Sequence, residues 1–112
     1  MSKILIVGDI YLETQYFVEQ IPVENEFSVA TDVLTYTGSK TINSRRVMVR
    51  LNNKVDFFAK AGKDDNYLKV LSDLKKYGIS IDHISQSDIK TGQICVTTDA
   101  LGRSSISIFW SK

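Results

Sequence analysis

Ile4-Leu5-Ile6-Val7-Gly8-Asp9-Ile10-Tyr11-Leu12-Glu13 is the stretch of sequence that decides the fold of this chain. Its apolar run, which ends at Val7, is typical of a strand that is covered on both faces, as in parallel sheets. Gly8 ends the run, and the acidic residues Asp9 and Glu13 follow it. The stretch therefore predicts a buried parallel strand with carboxylates beyond its carboxyl end.

A first helix is predicted to begin in Gly38-Ser39-Lys40-Thr41 and to run to about residue 51. Ser39 or Thr41 can cap it, because a hydroxyl at this position accepts a hydrogen bond from an otherwise free backbone N–H. Asn52-Asn53 is the predicted end, since Asn tolerates the left-handed backbone conformation that often follows a helix.

A second helix follows Gly62-Lys63-Asp64-Asp65 and carries Leu68, Leu71 and Leu74 on one apolar stripe. Gly78 is its predicted C-terminal cap. The predicted strands besides the first cover residues 12–18, 28–36, 55–59 and 79–84.

The carboxyl-terminal part of the chain predicts a hairpin. Apolar and polar residues alternate over 93–98 and again over 105–110, with turn residues at 99–102 between them. The whole order of elements predicts two layers: an α/β core with mostly parallel strands, and a small separate sheet made from the amphipathic strands.

The composition is that of an ordinary globular domain. The 112 residues are 43% hydrophobic and 24% charged, with a net charge of +1, so no general field attracts nucleic acid or an anionic membrane. No apolar run approaches the roughly 20 residues that cross a bilayer. A single cysteine, Cys95, and a single histidine, His83, argue against a disulfide and a metal site. We expect a cytoplasmic protein without nucleic-acid or membrane partners.

The order of elements and the motifs on them resemble the ribokinase-like (PfkB) family of carbohydrate and nucleoside kinases. The resemblance spans essentially the whole chain and about the first third of a usual family member. Glu13 falls where the family has an aspartate that binds sugar hydroxyls, and Gly38-Ser39-Lys40-Thr41-Ile42-Asn43 lies on its Gly-Gly-Lys-Gly-Ala-Asn signature. Four further stretches resemble family segments in the same order: Ile21-Pro22, Ala61-Gly62-Lys63-Asp64-Asp65, Tyr77-Gly78-Ile79, and Thr91-Gly92 with residues 99–105.

This resemblance implies an α/β fold, specifically a partial ribokinase-like (Rossmann-like) three-layer core with a small β-sheet lid. Residues 1–112 would form a single truncated domain of this kind. Its core would comprise about residues 3–9 and 39–84, and its lid about residues 12–36 and 91–110.

The resemblance also implies a site for a sugar or nucleoside. A carboxylate can accept hydrogen bonds from two hydroxyls, a glycine lets the backbone approach the ring, and an Asn offers both a donor and an acceptor. No catalytic and no metal-binding residue is expected in this chain. The substrate-binding residues implied are Asp9, Glu13, Gly38, Ser39, Lys40 and Asn43.

Phosphoryl transfer needs a phosphate cradle, metal ligands and a group that positions the attacking hydroxyl. In the family these come from a Gly-Ala-Gly-Asp motif and loops in the later two-thirds of the chain. ATP and Mg are therefore implied for the full-length family, and no cofactor is expected here. Gly38-Ser39-Lys40-Thr41 lacks the first glycine of a phosphate-binding P-loop. We predict the substrate-binding and lid portion of a sugar kinase that does not catalyse alone.

Departures from the family pattern favour an alternative function. Ser39 and Thr41 replace family glycines, and Glu13 is one methylene longer than the family's aspartate. These changes suit a non-catalytic interaction protein that dimerises through its lid. We expect a homodimer through the lid sheet in either case, because two helices cannot cover both faces of the core sheet.

Simpler interpretations of the candidate residues stay open. Asp9 and Glu13 can be solvated acids after a strand, and Lys40 and Asn43 can be exposed residues of a helix's first turns. Arg45-Arg46 and Arg50 can form an anion patch, because Arg46 and Arg50 share a helix face, but a solvated face explains them more simply.

Overall fold

The computed structural model describes residues 3–110, except for the side chains of residues 40 and 41. This part of the chain contains seven strands and two helices, and neither helix is long and apolar enough to cross a membrane. The elements are β1 (Lys3–Asp9), β2 (Tyr11–Val18), β3 (Ala30–Gly38), α1 (Lys40–Arg50), β4 (Lys54–Gly62), α2 (Asp65–Lys76), β5 (Ile84–Ser87), β6 (Gly92–Thr98) and β7 (Ser104–Phe109).

Three strands form a parallel core sheet in the order β1-β4-β5. The register of β1 and β4 runs from Lys3 opposite Lys54 to Asp9 opposite Lys60. Parallel neighbours require a crossover connection, and α2 provides the one between β4 and β5. The prediction that the first strand has a parallel neighbour is confirmed.

Both helices pack against the same face of the core sheet. Side chains from β4, from both helices and from two connecting segments form one cluster whose members are at most 3% exposed. Burial of a large apolar side chain of this kind stabilises the fold by about 1.5–3 kcal/mol. The cluster consists of Ile10, Ile42, Phe57, Val70, Leu74 and Ile79.

The opposite face of the core sheet is uncovered in the described part of the chain. Leu5 is 63% exposed and Val7 is 73% exposed, while Ile4 and Ile6, which alternate with them, are half-buried. Phe58 lies beside Val7 on this face and stacks on the ring of His83 at 4.2 Å. The expectation that β1 is covered on both faces is therefore wrong here, because α1 and α2 share one side.

The remaining four strands form a separate small sheet in the order β3-β2-β6-β7. β2 is antiparallel to β3 and parallel to β6, and β6 and β7 form the predicted hairpin. In that hairpin Ile94 lies opposite Ile108 and Val96 opposite Ile106, so the apolar residues share one face. The α/β architecture with a small separate sheet is as predicted.

The helix ends follow the local chemistry of the sequence. The Ser39 hydroxyl accepts a hydrogen bond from the N–H of Ile42 at 3.0 Å, and the Asp64 carboxylate accepts one from the N–H of Tyr67 at 3.2 Å. Asn52, after α1, has φ +64°, and Gly78, after α2, has φ +68°. The predicted helix boundaries at Ser39, Asn52 and Gly78 are confirmed.

The predicted strand over residues 79–84 is wrong in its position. The strand is β5, which begins at Ile84 and continues to Ser87, and the N–H of Ile84 donates to the carbonyl of Ile81 in a turn. Ile79 and Ile81 are apolar because they pack on the core cluster, not because they belong to a sheet.

The interpretation of the arginines of α1 as a solvated face is wrong at Arg45. This side chain is 8% exposed, and its Nη2 donates to the carbonyl oxygen of Gly78 at 3.4 Å. Burial lowers the pKa of Arg45. Arg46 and Arg50 are exposed, as that interpretation requires.

Hydrogen bonds hold together a closely packed junction between the core sheet and the small sheet. The N–H of Gly62, at the end of β4, donates to the hydroxyl of Thr91, which in turn donates to Asp64 at 2.6 Å. The N–H of Thr91 also donates to Asp64, at 2.8 Å. Burial raises the pKa of Asp64, but hydrogen bonds from Thr91 and Tyr67 outweigh it, so the pKa lies below its ordinary value. These contacts fix where the small sheet leaves the core.

Candidate functional site

A cleft of about 350 Å³ opens between the small sheet and the amino-terminal turns of α1. Four of the six predicted substrate-binding residues line it together: Glu13, Gly38, Ser39 and Asn43. They come from three different elements, so the fold itself brings them into one place. The other lining residues are Tyr36, Thr37, Arg46, Tyr77, Ile94, Val96, Ile106 and Ile108.

Glu13 lies in the middle of the small sheet. It pairs with Tyr36 on β3 and with Ile94 on β6, and all three residues line the cleft. Burial raises the pKa of Glu13. Among the described residues its carboxylate has no hydrogen-bond or ion-pair partner, so its oxygens are available to accept from a bound molecule.

Ser39 and Asn43 reach the cleft from the start of α1. The Ser39 hydroxyl oxygen already accepts the capping hydrogen bond from Ile42, which leaves its hydrogen free to donate. The N–H of Asn43 donates to the carbonyl of Ser39 at 3.1 Å, so Asn43 lies one helical turn further on, with an exposed side chain. The two side chains therefore offer donors and an acceptor opposite Glu13.

Hydrogen bonds with the end of α2 fix the junction between β3 and α1. The N–H of Thr37 donates to the buried carboxylate of Asp73 at 2.8 Å, and the Tyr77 hydroxyl donates to the carbonyl of Thr37 at 3.1 Å. Burial raises the pKa of Asp73, but hydrogen bonds from Lys69 and Thr37 outweigh it, so the pKa is lowered. This network positions Gly38 and Ser39, which follow Thr37 directly.

An apolar wall closes one side of the cleft and was not predicted as part of a site. It consists of the hairpin residues Ile94, Val96, Ile106 and Ile108. Their alternation along β6 and β7 was visible in the sequence and indicated a shared face, but not what that face would meet. Thr37 and Tyr77 were missed because the sequence carries no signal that connects β3 with the end of α2.

The two remaining predicted substrate-binding residues are Asp9, which lines another cleft, and Lys40, whose side chain the structure does not describe. Asp9 lines a separate cleft of about 160 Å³ with Tyr11, Lys60 and Trp110, and the Tyr11 hydroxyl donates to its carboxylate at 3.4 Å. The structure therefore does not place Asp9 in the cleft of Glu13. Lys40 begins α1, and its side chain is outside the described part of the chain.

Metal-ligating side chains are not clustered among the described residues. No group of three His, Cys, Asp or Glu side chains among residues 3–110 could hold a metal ion. The hydroxyl of Ser39, in the stretch that partly resembles a P-loop, is already engaged as a helix cap.

Comparison with known proteins identifies the family. Residues 1–112 match the model of the pfkB family carbohydrate kinases. The chain belongs to the pfkB family. A curated relative of this pfkB chain is the bifunctional ribokinase/ribose-5-phosphate isomerase A of Fructilactobacillus sanfranciscensis, which is 27% identical over 111 residues, 97% of this chain and 21% of the relative.

Solved ribokinases share the fold of this pfkB chain. The ribokinase of Cryptococcus neoformans var. grubii serotype A in complex with ADP matches with a TM-score of 0.81 at 22% identity, over 97% of this chain and 35% of that one. The ribokinase of Arabidopsis thaliana complexed with ribose and ATP matches with a TM-score of 0.77 at 23% identity, over 95% and 35%. The predicted ribokinase-like fold is confirmed, and the chain spans about a third of each solved ribokinase.

Proposed function

We propose that this chain is the substrate-binding and lid portion of a pfkB-family sugar kinase and that it does not phosphorylate a sugar alone. The observation that carries the proposal is the convergence of Glu13, Gly38, Ser39 and Asn43 on one cleft beneath the small sheet. Ribose is the first candidate ligand, since the ribokinase of Arabidopsis thaliana was solved with ribose.

Each polar residue of the cleft has a role in this proposal. The Glu13 carboxylate accepts hydrogen bonds from two neighbouring sugar hydroxyls, a charge-assisted pair worth about 1.5–3 kcal/mol for each bond. Asn43 donates to one hydroxyl and accepts from another, and Ser39 donates from its hydroxyl. Gly38 lets the ring lie close to the backbone, and Lys40, at the start of α1, stays a predicted contact. The apolar wall of the hairpin covers one side of the bound sugar and reduces its contact with water.

Calorimetric titration tests the binding step directly. The whole chain is titrated with ribose, other pentoses, hexoses and nucleosides, and we expect saturable heat for at least one of them. Glu13→Gln should weaken that binding at least tenfold, because an amide accepts fewer and weaker hydrogen bonds than a carboxylate. Glu19→Gln, at an exposed position beyond β2, is the matched control and should bind like wild type. No heat with any ligand would overturn the proposal.

Catalysis is proposed to need the remaining part of the fold. Further strands and helices of a ribokinase would pack on the open face with Leu5 and Val7 and along the edge of β1 that has no strand partner among the described residues. A coupled ATP assay should detect no ribose phosphorylation by this chain. Mixing it with the separately produced carboxyl-terminal portion of a ribokinase should restore activity, and Val7→Lys should prevent that restoration. Activity of the chain alone would contradict this part of the proposal.

A non-catalytic protein that dimerises through the small sheet is the second candidate. It is favoured by the exposed apolar residues of the hairpin, with Ile106 60% and Ile108 51% exposed, and by Ser39 and Thr41 in place of family glycines. Light scattering after size-exclusion chromatography should then give a dimer that Ile106→Glu dissociates and the control Ser105→Glu does not. A dimer without any sugar binding would favour this candidate over the first, and a clean monomer would exclude it.

A cytoplasmic location stays a prediction from the balanced charge and single cysteine.

A further inference from the structure

A third cleft lies between α1 and the end of α2. It has a volume of about 270 Å³ and is lined by residues of the second half of α1 and of the end of α2. Four of its six lining residues are cationic and none is acidic: Arg45, Arg46, Arg50 and Lys76, with Val49 and Tyr77. A concave surface with four positive charges concentrates the field that attracts anions.

The four cations are not neutralised within the described part of the chain. The ion pairs found there join Lys3 to Asp56, Lys69 to Asp73 and Arg103 to Asp99, and none involves the cleft. Arg46 and Arg50 are four residues apart on one helix, a spacing at which like charges repel. The carboxyl-terminal dipoles of α1 and α2 favour Arg50 and Lys76. Arg45 and Arg46 lie before the last turn of α1, so the helix dipole does not account for them.

Arg45 gives the strongest indication of a missing counter-charge. It is 8% exposed, its described hydrogen bond goes to the neutral carbonyl of Gly78 at 3.4 Å, and its Nε has no partner among the described residues. A cation removed from water without an anionic partner is costly, and the fold retains it at the edge of this cleft.

Arg46 is held in place by an aromatic ring. Its guanidinium carbon lies 4.7 Å from the centre of the Tyr77 ring, a distance at which the ring face attracts a cation. Its N–H groups make no hydrogen bond or ion pair among the described residues, and such forked N–H groups match phosphate oxygens.

We propose that the cleft formed by Arg45, Arg46, Arg50 and Lys76 binds a small phosphate-bearing anion. A dianionic phosphate fits both the volume and the excess positive charge, and arginines bind it in a bidentate way. The site adjoins the candidate sugar cleft: Arg46 and Tyr77 line both, and the other four lining residues belong to this cleft alone. The proposal does not depend on sugar binding by Glu13.

The test is a titration of the isotopically labelled chain with inorganic phosphate at constant ionic strength, followed by NMR. We expect saturable shifts of the amide signals of residues 45–50 and 76–78, and a concentration-dependent rise in Tm. A parallel titration with acetate should give no saturation. Equal amide shifts with acetate or chloride would mean that any anion screens the positive charge of this surface, and they would overturn the proposal.

Variants separate a built site from a diffuse positive surface. Arg50 and Lys76 are exposed, so the double variant Arg50→Gln/Lys76→Gln should fold normally and bind phosphate at least tenfold more weakly. The matched control is Lys63→Gln. Lys63 is an exposed cation that directly follows β4 and does not line the cleft, so this variant should bind phosphate as wild type does. Weakening of the same size in Lys63→Gln, or unchanged affinity in the double variant, would contradict the proposal.

Discussion

Gly62 shows how a single residue controls the junction between the two sheets. A Cβ built on it would lie 2.3 Å from the carbonyl oxygen of Ile89 and 2.4 Å from the nitrogen of Thr91, both of them backbone atoms. Real Cβ atoms do not approach backbone this closely, so any side chain must push β4 away from the segment that precedes β6. The glycine is required here by close approach rather than by an unusual φ.

We predict that Gly62→Ala destabilises the fold by about 1–3 kcal/mol, because overpacking against backbone cannot be relieved by a rotamer change. The control is Gly38→Ala, whose Cβ would meet only the Tyr36 ring at 3.4 Å and should change stability by less than about 0.5 kcal/mol. Urea unfolding of both variants measures the difference. Equal stability of the two would show that the junction is not as tight as described.

At the scale of elements, the hairpin of β6 and β7 depends on one carboxylate. Asp99 accepts hydrogen bonds from the N–H of Leu101 at 3.0 Å and of Arg103 at 2.9 Å, and from Nε of Arg103 at 2.8 Å. It also lies almost fully buried in the turn. These bonds set the turn and so the register that brings Ile106 and Ile108 over the cleft.

Replacing this carboxylate should loosen the hairpin without unfolding the core. Asp99→Ala leaves three donors of the turn without an acceptor, so we expect hydrogen exchange of the β6 and β7 amides to accelerate roughly tenfold. Amides of β1 and β4 should exchange as in wild type. Asp88→Ala, at an exposed loop position, is the control. Uniform acceleration across both sheets would mean that the hairpin is not a separate unit of stability.

Helix ends were predictable from the sequence and the place of the fifth strand was not, for physical reasons. Ser39, Asn52 and Gly78 act through their own backbone neighbours, so local sequence carries their whole signal. Ile79 and Ile81 are apolar through contact with the distant core cluster, and a strand and a buried loop share that signature.

The candidate site residues also differ in whether they could be predicted from the sequence. The resemblance to the family implied Glu13 and Asn43, which line one cleft. The buried position of Arg45 depends instead on the carbonyl of Gly78, which only the folded packing of α1 against the end of α2 brings near. A charged residue within a helix is usually solvated, so its burial cannot be read from composition.

For the whole molecule, three aspartates make stability depend on acid pH. Burial raises the pKa of Asp64, Asp73 and Asp99, but their hydrogen bonds outweigh it, so each pKa lies below the ordinary value of 3.8. The folded state then holds fewer protons than the unfolded state in this range. Their stabilising contribution is complete above pH 3.8 and is lost as the pH falls through the lowered values.

We therefore predict that the free energy of unfolding falls steeply below about pH 4. Asp73→Asn should be less stable than wild type at neutral pH and should show a flatter decline in acid, because one of the linked carboxylates is gone. Asp82→Asn, at an exposed position, should keep the wild-type slope. Urea titrations at a series of pH values measure the slope, and an unchanged slope in Asp73→Asn would contradict the assignment.

Two neighbouring residues of β1 lie on opposite faces of the core sheet, and only one of these faces is covered. Ile6 packs against the core cluster, whereas Val7 points to the other face and is 73% exposed. Ile6→Thr should cost about 1–3 kcal/mol, since it places a hydroxyl against the core, and Val7→Thr should change stability by less than about 0.5 kcal/mol. Urea unfolding of this matched pair reports which face is covered in solution. If Val7→Thr costs as much as Ile6→Thr, another copy of the chain already covers the open face, and that face is not available to the rest of a ribokinase fold.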